Sequence, residues 1–190
     1  AAAESGSSAF PFTDVQPGDW FYGDVAYVWE NSLMNGMSDT LFGPHKTITR
    51  GMIVTILYRL ESEPAVSAAC PFDDVASGMY YDNAVTWAAE NGVVDGYGNG
   101  CFGPNDDITR EQLAAILYRY ASLKGYDVSA AMGLAGFADA DSVSAWAVDA
   151  MTWAVGAKMI EGTGTKLEPQ GSATRAQAAA ILYRFCTNIV

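Results

Sequence analysis

The chain has 190 residues, half of them hydrophobic and 12% aromatic, with 10 Lys+Arg against 22 Asp+Glu and a formal charge of −12. That length and apolar content suit a folded core and exclude a disordered acidic tail. The charge excludes nucleic acid, whose binding relies on Lys and Arg meeting phosphates, and no apolar run reaches the ~18 residues of a membrane span. Beginning at Ala1 without a charged n-region or apolar h-region, the chain reads as a processed product or an excised fragment. Cys70, Cys101 and Cys186 are an odd number without metal-type spacing, which predicts unpaired thiols, no metal site and no cofactor.

In chain order, residues 1–11 are expected to be a flexible lead-in, and a unit then recurs three times. Each unit opens on Phe-x-Asp: Phe12 and Asp14, Phe72 and Asp74, Phe137 and Asp139. An aromatic follows (Trp20, Tyr80, Trp146), then a second seven residues on (Tyr27, Trp87, Trp153), then a glycine (Gly36, Gly96, Gly162). A turn with Pro44, Pro104 or Pro169 precedes a Thr-Arg pair at Arg50, Arg110 or Arg175, and Ile-Leu-Tyr-Arg ends at Arg59, Arg119 or Arg184. The units are expected to span 12–60, 72–120 and 137–186, with linkers at 61–71 and 121–136.

Each unit reads as helix, loop, helix. The first helix runs from about Trp20 to Asn31 and its equivalents, with aromatic and aliphatic positions on one face. Trp87 and Trp153 on that face are expected to be core. The second helix starts behind a threonine N-cap, and Gln112 and Gln177 complete a capping box that Met52 cannot. Its stripes (Ile53, Ile56, Leu57, Leu60; Leu113, Ile116, Leu117, Tyr120; Ala178, Ile181, Leu182, Phe185) predict burial against one another in a three-helix centre. The fold class is therefore mainly α.

All six arginines lie at repeat-equivalent positions, whereas the four lysines do not. Arg59, Arg119 and Arg184 end a helix, where complementing its dipole suffices as a role. Arg50, Arg110 and Arg175 sit in a first turn, where the dipole disfavours a cation but free N–H groups invite an anion. A guanidinium there suits a carboxylate, either internal (Asp14, Asp74 or Asp139) or on a ligand. No nucleophile motif or distinctive acid pair is present, and His45 reads as a surface histidine, so catalysis is not expected.

The succession Phe-x-Asp-Val, Gly-x-Val-x-Gly-Tyr-Gly-Asn-Gly-x-Phe-x-Pro, Ile-Thr-Arg-Glu and Ile-Leu-Tyr-Arg resembles the S-layer homology domain, in three tandem repeats from about Phe12 to Phe185. The resemblance implies a pseudo-threefold, three-pronged arrangement around a central three-helix bundle. It also implies an extracellular module anchoring an exported bacterial protein to secondary cell wall polysaccharide on peptidoglycan, commonly through pyruvylated N-acetylmannosamine held in grooves between repeats. The arginine of Thr-Arg would then meet the pyruvyl carboxylate. The glycan-contacting candidates are Arg110, Arg50, Arg175, Asp14, Asp74, Asp139, Trp20, Tyr80, Trp146, Gly36, Gly96 and Gly162. The aromatics would stack on sugar faces, and the glycines would either admit a sugar or cap a helix. Other surface-layer proteins are the alternative partners, in a structural assembly module. The usual Thr-Arg-Ala-Glu is absent from every repeat, and repeat three has Thr-Lys-Leu-Glu-Pro with a loop one residue shorter, which ranks the Arg110 site first.

Overall fold

The computed structural model describes residues 10–190, so residues 1–9 of the expected lead-in lie outside the described residues. Phe10 is already packed, its ring 5.3 Å from Phe12 and 5.1 Å from Tyr22. Among the described residues, six α-helices alternate short and long. The first helices of the repeats are α1 (Tyr22–Glu30), α3 (Asp82–Glu90) and α5 (Val148–Gly156), nine residues each. The second helices are α2 (Arg50–Leu60), α4 (Arg110–Lys124) and α6 (Arg175–Asn188). Among the described residues there is no strand, only isolated bridges.

Local sequence explains where the long helices start and stop. Thr49, Thr109 and Thr174 each accept a hydrogen bond from the N–H three residues on, and Gln112 and Gln177 return a bond to complete the capping box. α4 runs into the expected linker because nothing breaks it before Gly125, which closes it in the left-handed conformation at φ 70°.

Packing joins repeat to repeat. α2 lies against α3, α4 against α5, and α6 returns to α1, so each second helix covers the first helix of another repeat. The tyrosine of Ile-Leu-Tyr-Arg makes each contact: Tyr58 meets Trp87 at 5.8 Å, Tyr118 meets Trp153 at 5.4 Å, and Tyr183 meets Tyr27 at 5.0 Å. Trp87 and Trp153 are buried, as the helical period predicts. The stripes of α2, α4 and α6 enter one shared core apart from the half-buried Leu60, and Tyr120 touches Phe185 at 5.9 Å across α4 and α6. Just before these helices, three buried residues close a ring of backbone bonds. Ile48 N–H donates to Ala173 O, Ala173 N–H to Ile108 O, and Ile108 N–H to Ile48 O, at 2.9–3.1 Å. Nothing in one repeat can satisfy these groups alone.

The loop turns differ in one position. Gly43 and Gly103 adopt φ 73° and 72°, whereas repeat three places Glu168 at φ 51° in the same turn. A side chain in that region is disfavoured by about 1–2 kcal/mol. Glu168→Gly is therefore expected to stabilise the chain by about 0.5–1 kcal/mol after the added unfolded-state entropy. Urea unfolding checks this, and a lower midpoint with unchanged slope contradicts it.

A second expectation follows from the crossed packing. A fragment of residues 72–120 contains α3 and α4 as far as Tyr120 but neither α2 nor α5, the helices that cover them. It is expected to be unfolded or self-associating by circular dichroism and sedimentation. A monomer with native helix content would show that the shared core is dispensable.

Candidate functional site

Every candidate site begins with an arginine that crosses to another repeat. Arg50 Nε donates to Phe102 O, Arg110 Nε to Leu167 O, and Arg175 Nε to Phe42 O, each at 2.8 Å. The receiving residues are held from the other side by the aspartates. Phe42, Phe102 and Leu167 donate their N–H groups to Asp14, Asp74 and Asp139 at 2.8 Å, and the next residue donates to the second carboxylate oxygen. Arginine and aspartate thus grip opposite ends of one loop residue instead of pairing directly. Among the described residues, no carboxylate lies within ion-pair distance of Arg50, Arg110 or Arg175. The Leu167 N–H holds the Asp139 carboxyl below the usual carboxylate range.

The free helix-terminal donors expected from the sequence are not free. Arg50 and Gly51 donate their N–H groups to Asp106 O and Pro104 O, Arg110 and Glu111 to Gly171 O and Pro169 O, and Arg175 and Ala176 to Lys46 O and Pro44 O. The turn of another repeat has filled that end of each helix, because a buried donor must find an acceptor. Any anion must be met by the guanidiniums themselves.

They are suited to it. Each of these arginines is only 5–6% exposed, and burial pushes its pKa down, with nearby acids and, for Arg50, Tyr97 opposing. Among the described residues the terminal nitrogens of Arg50 and Arg110 bond no protein acceptor, and Arg175 uses only Nη2, to Asn35 O at 2.6 Å. The single sealed side-chain polar atom without a partner among those residues is Trp153 Nε1, so the guanidinium nitrogens open into space. Tyr97 and Phe102 flank the Arg50 guanidinium at 4.7 and 4.6 Å, and Phe42 lies 4.5 Å from that of Arg175.

Three grooves receive them, each built from all three repeats. Arg50 shares a cavity of about 510 Å³ with Gly96 and Trp146. Arg110 shares one of about 390 Å³ with Gly162 and Trp20. Arg175 shares one of about 150 Å³ with Gly36 and Tyr80. The expected aromatics are exposed by 56–65% and line these grooves. Ranking sites by single repeats therefore has no geometric basis: the altered loop of repeat three faces Arg110, and the family-like loop of repeat two faces Arg50.

The glycines are not helix caps, since they lie beyond the caps Asn31, Asn91 and Ala157. A β-carbon at Gly96 would stand 2.5 Å from Cys101 O and 2.6 Å from the Phe72 ring, and at Gly162 2.6 Å from Lys166 O and 3.0 Å from Phe137, so the loop's own carbonyl and the Phe-x-Asp phenylalanine together require glycine. Gly36 meets Phe12 in the same way.

Sequence reasoning missed the second arginines. Arg119 lines the Arg50 groove, Arg184 the Arg110 groove and Arg59 the Arg175 groove, so all six arginines lie in grooves, two apiece. Arg119 pairs with Asp95 at 3.0 Å and Arg184 with Glu161 at 2.8 Å. The signal was present as an acid immediately before the loop glycine. Cys70, Cys101 and Cys186 are free, half-buried thiols, and among the described residues no His, Cys, Asp and Glu cluster could hold a metal.

Comparison with known proteins agrees with this repeat structure. Residues 11–51, 71–114 and 136–179 match the S-layer homology domain. An endoglucanase of Bacillus sp. (strain KSM-635) is 33% identical over 94% of this chain, which corresponds to 19% of that protein. An amylopullulanase of Thermoanaerobacterium thermosulfurigenes is 34% identical over 90% of the chain, corresponding to 9% of its length. The surface-layer 125 kDa protein of Lysinibacillus sphaericus is 32% identical over 83% of the chain, corresponding to 13% of its length. The chain thus spans less than a fifth of each of these relatives, the part they have in common despite different names. With three matched segments in register, the chain belongs to the S-layer homology domain family.

Proposed function

We propose that this chain is a non-catalytic anchoring module that binds secondary cell wall polysaccharide in its inter-repeat grooves and so holds an exported bacterial protein at the cell surface. The glycan is pyruvylated and contains N-acetylmannosamine. One observation carries the reading: buried guanidiniums, lacking a carboxylate partner, open into grooves that an exposed aromatic also lines. A desolvated cation gains most from an anion that enters with it, and a pyruvate ketal supplies a carboxylate on a ring with an apolar face. Relatives that share this module while differing in name support an attachment role. Pull-down with purified wall glycan, with and without its pyruvyl groups, tests the reading. Binding that ignores the pyruvyl groups removes the arginine–carboxylate contact from it, and capture of a surface-layer protein instead of glycan favours assembly.

The Arg50 and Arg110 grooves are the principal sites, because both keep two arginines, an acid, a glutamine and a tryptophan. Arg110→Ala is expected to weaken glycan binding at its groove by about 2–5 kcal/mol, as for removing one partner of a buried charge pair. It should also destabilise the fold by about 1–3 kcal/mol, since Leu167 O loses its donor. Trp20→Ala separates the two effects. Trp20 is 65% exposed, so binding at the Arg110 groove should fall by about 1 kcal/mol with melting unchanged. Calorimetric titration together with thermal melts measures both, and full binding in Trp20→Ala would remove that wall from the site.

Salt should weaken binding only modestly. With a charge of −12, long-range attraction to an anionic polymer is unfavourable, and recognition falls to short contacts inside the grooves. Affinity measured against ionic strength checks this, and a fall of several decades would contradict it.

A further inference from the structure

The three grooves do not carry the same reading groups. The residue before the loop glycine is Asp95 in the Arg50 groove and Glu161 in the Arg110 groove, and each engages the second arginine there. In the Arg175 groove that residue is Asn35, and the lining includes no carboxylate. Arg59 approaches an acid only outside it, Glu63 at 3.9 Å, on the side of an adjoining cavity of about 460 Å³. The glutamine in the first turn of the second helix, Gln112 or Gln177 in the other grooves, is Met52 in this one. The chamber itself holds about 150 Å³, less than half of the 390 Å³ of the next smallest groove.

We infer that the groove of Arg59 and Arg175 is a phosphate-monoester site, distinct from the carboxylate-bearing sugar sites of the other two. The inference rests on the glycan-binding reading above and specialises one of its grooves. Charge within the lining argues for it. In the other grooves an acid at 2.8–3.0 Å offsets the second arginine and leaves a single positive charge, which one carboxylate neutralises, whereas here the acids that reach the arginines, Glu63 and Asp14, lie outside the lining, and the two guanidiniums come closer to matching the nearly double charge of a phosphate monoester at neutral pH. Size and hydrogen bonding point the same way. A carboxylate and a glutamine amide read sugar hydroxyls, and this chamber lacks both while keeping the Arg59 guanidinium and the remaining nitrogen of Arg175, donors that suit phosphate oxygens. Arg175 is already nine-tenths buried, with Nε and Nη2 fixed by Phe42 O and Asn35 O, so its remaining nitrogen is presented in one orientation. The adjoining cavity shares Leu33, Asn35 and Arg59 with the chamber and leaves room for whatever carries the phosphate.

Arginine Nε–Hε signals of the full chain can follow each groove separately by NMR. Inorganic phosphate and glucose 1-phosphate are expected to shift Arg59 and Arg175 well before Arg110 or Arg184, and acetate to bind that groove at least about tenfold more weakly than phosphate. Tighter binding of the sugar phosphate would assign the adjoining cavity to the site, and equal affinity would make it a site for free phosphate. Asn35 is exposed, so Asn35→Asp should fold normally and restore the missing acid, lowering phosphate affinity at least about tenfold. Equal shifts in all three grooves, acetate binding as tightly as phosphate, or an unaffected Asn35→Asp variant would each overturn the inference. Pyruvylated wall glycan serves as the control on the parent reading. If it shifts Arg50 and Arg110 while phosphate leaves Arg59 and Arg175 unmoved, the phosphate site alone is wrong; if it shifts no arginine, the glycan reading fails as well.

Discussion

A single loop residue held between two charges of different repeats is what the rest of this molecule depends on. Phe102 gives its N–H to Asp74 of its own repeat and its C=O to Arg50 of the preceding one. Leu167 and Phe42 stand in the same position between Asp139 and Arg110, and between Asp14 and Arg175. A direct Asp–Arg pair would have neutralised both charges and left the loop's backbone groups without partners. Interposing a peptide instead satisfies a buried N–H and C=O with charged partners, the stronger class of hydrogen bond. It also leaves both outer guanidinium nitrogens of Arg50 and Arg110, and one of Arg175, without a protein acceptor. The contact that ties the repeats together thereby supplies the donors on which the proposed binding rests.

The same contact makes the repeats inseparable in function as well as in stability. Arg50 comes from repeat one, the loop it holds from repeat two, and the aromatic wall of its groove, Trp146, from repeat three. Backbone bonds among Ile48, Ala173 and Ile108, and the return of α6 to α1, fix these three contributions relative to one another. A groove whose walls belong to three segments keeps its shape only while the whole ring of contacts holds. On the proposed reading, ligand affinity would accordingly be coupled to the stability of the entire chain, and a change at Glu168, in the turn facing Arg110, would bear on both.

Much of this was legible in the sequence, and the part that was not has a definite cause. The threonine caps, the two capping boxes and the apolar stripes are local features, so their spacing along the chain is their spacing in space. The buried Trp87 and Trp153 followed from helical period alone. What sequence spacing cannot express is which repeat a loop faces. For that reason the N–H groups of Arg110 and Glu111 read as vacant when Gly171 and Pro169 occupy them, and Arg119 read as a helix-end cation when it lines a groove beside Asp95. The loop glycines misled for a related reason. Gly96 has the local look of a helix stop, yet what requires it is Cys101 O of its own loop together with the Phe72 ring, which lies 24 residues earlier in the chain.

The arginine distribution joins electrostatics to recognition. The chain carries 22 acids, and all six arginines sit in three concave grooves. Such a surface repels polyanions at a distance, where each sees the net charge, and attracts an anion only once it is inside a groove and screened from the acidic exterior. On the proposed reading, Arg–carboxylate contacts formed there would be short and poorly solvated, so shape would govern them more than charge alone. An anionic polymer would then be selected by the sugar that carries its charge, because an anion whose ring also fits against Trp20 or Trp146 gains a contact that a bare anion lacks. In an environment rich in anionic polymers, general attraction would bind them all, and on the proposed reading a net negative module with recessed arginines would bind few.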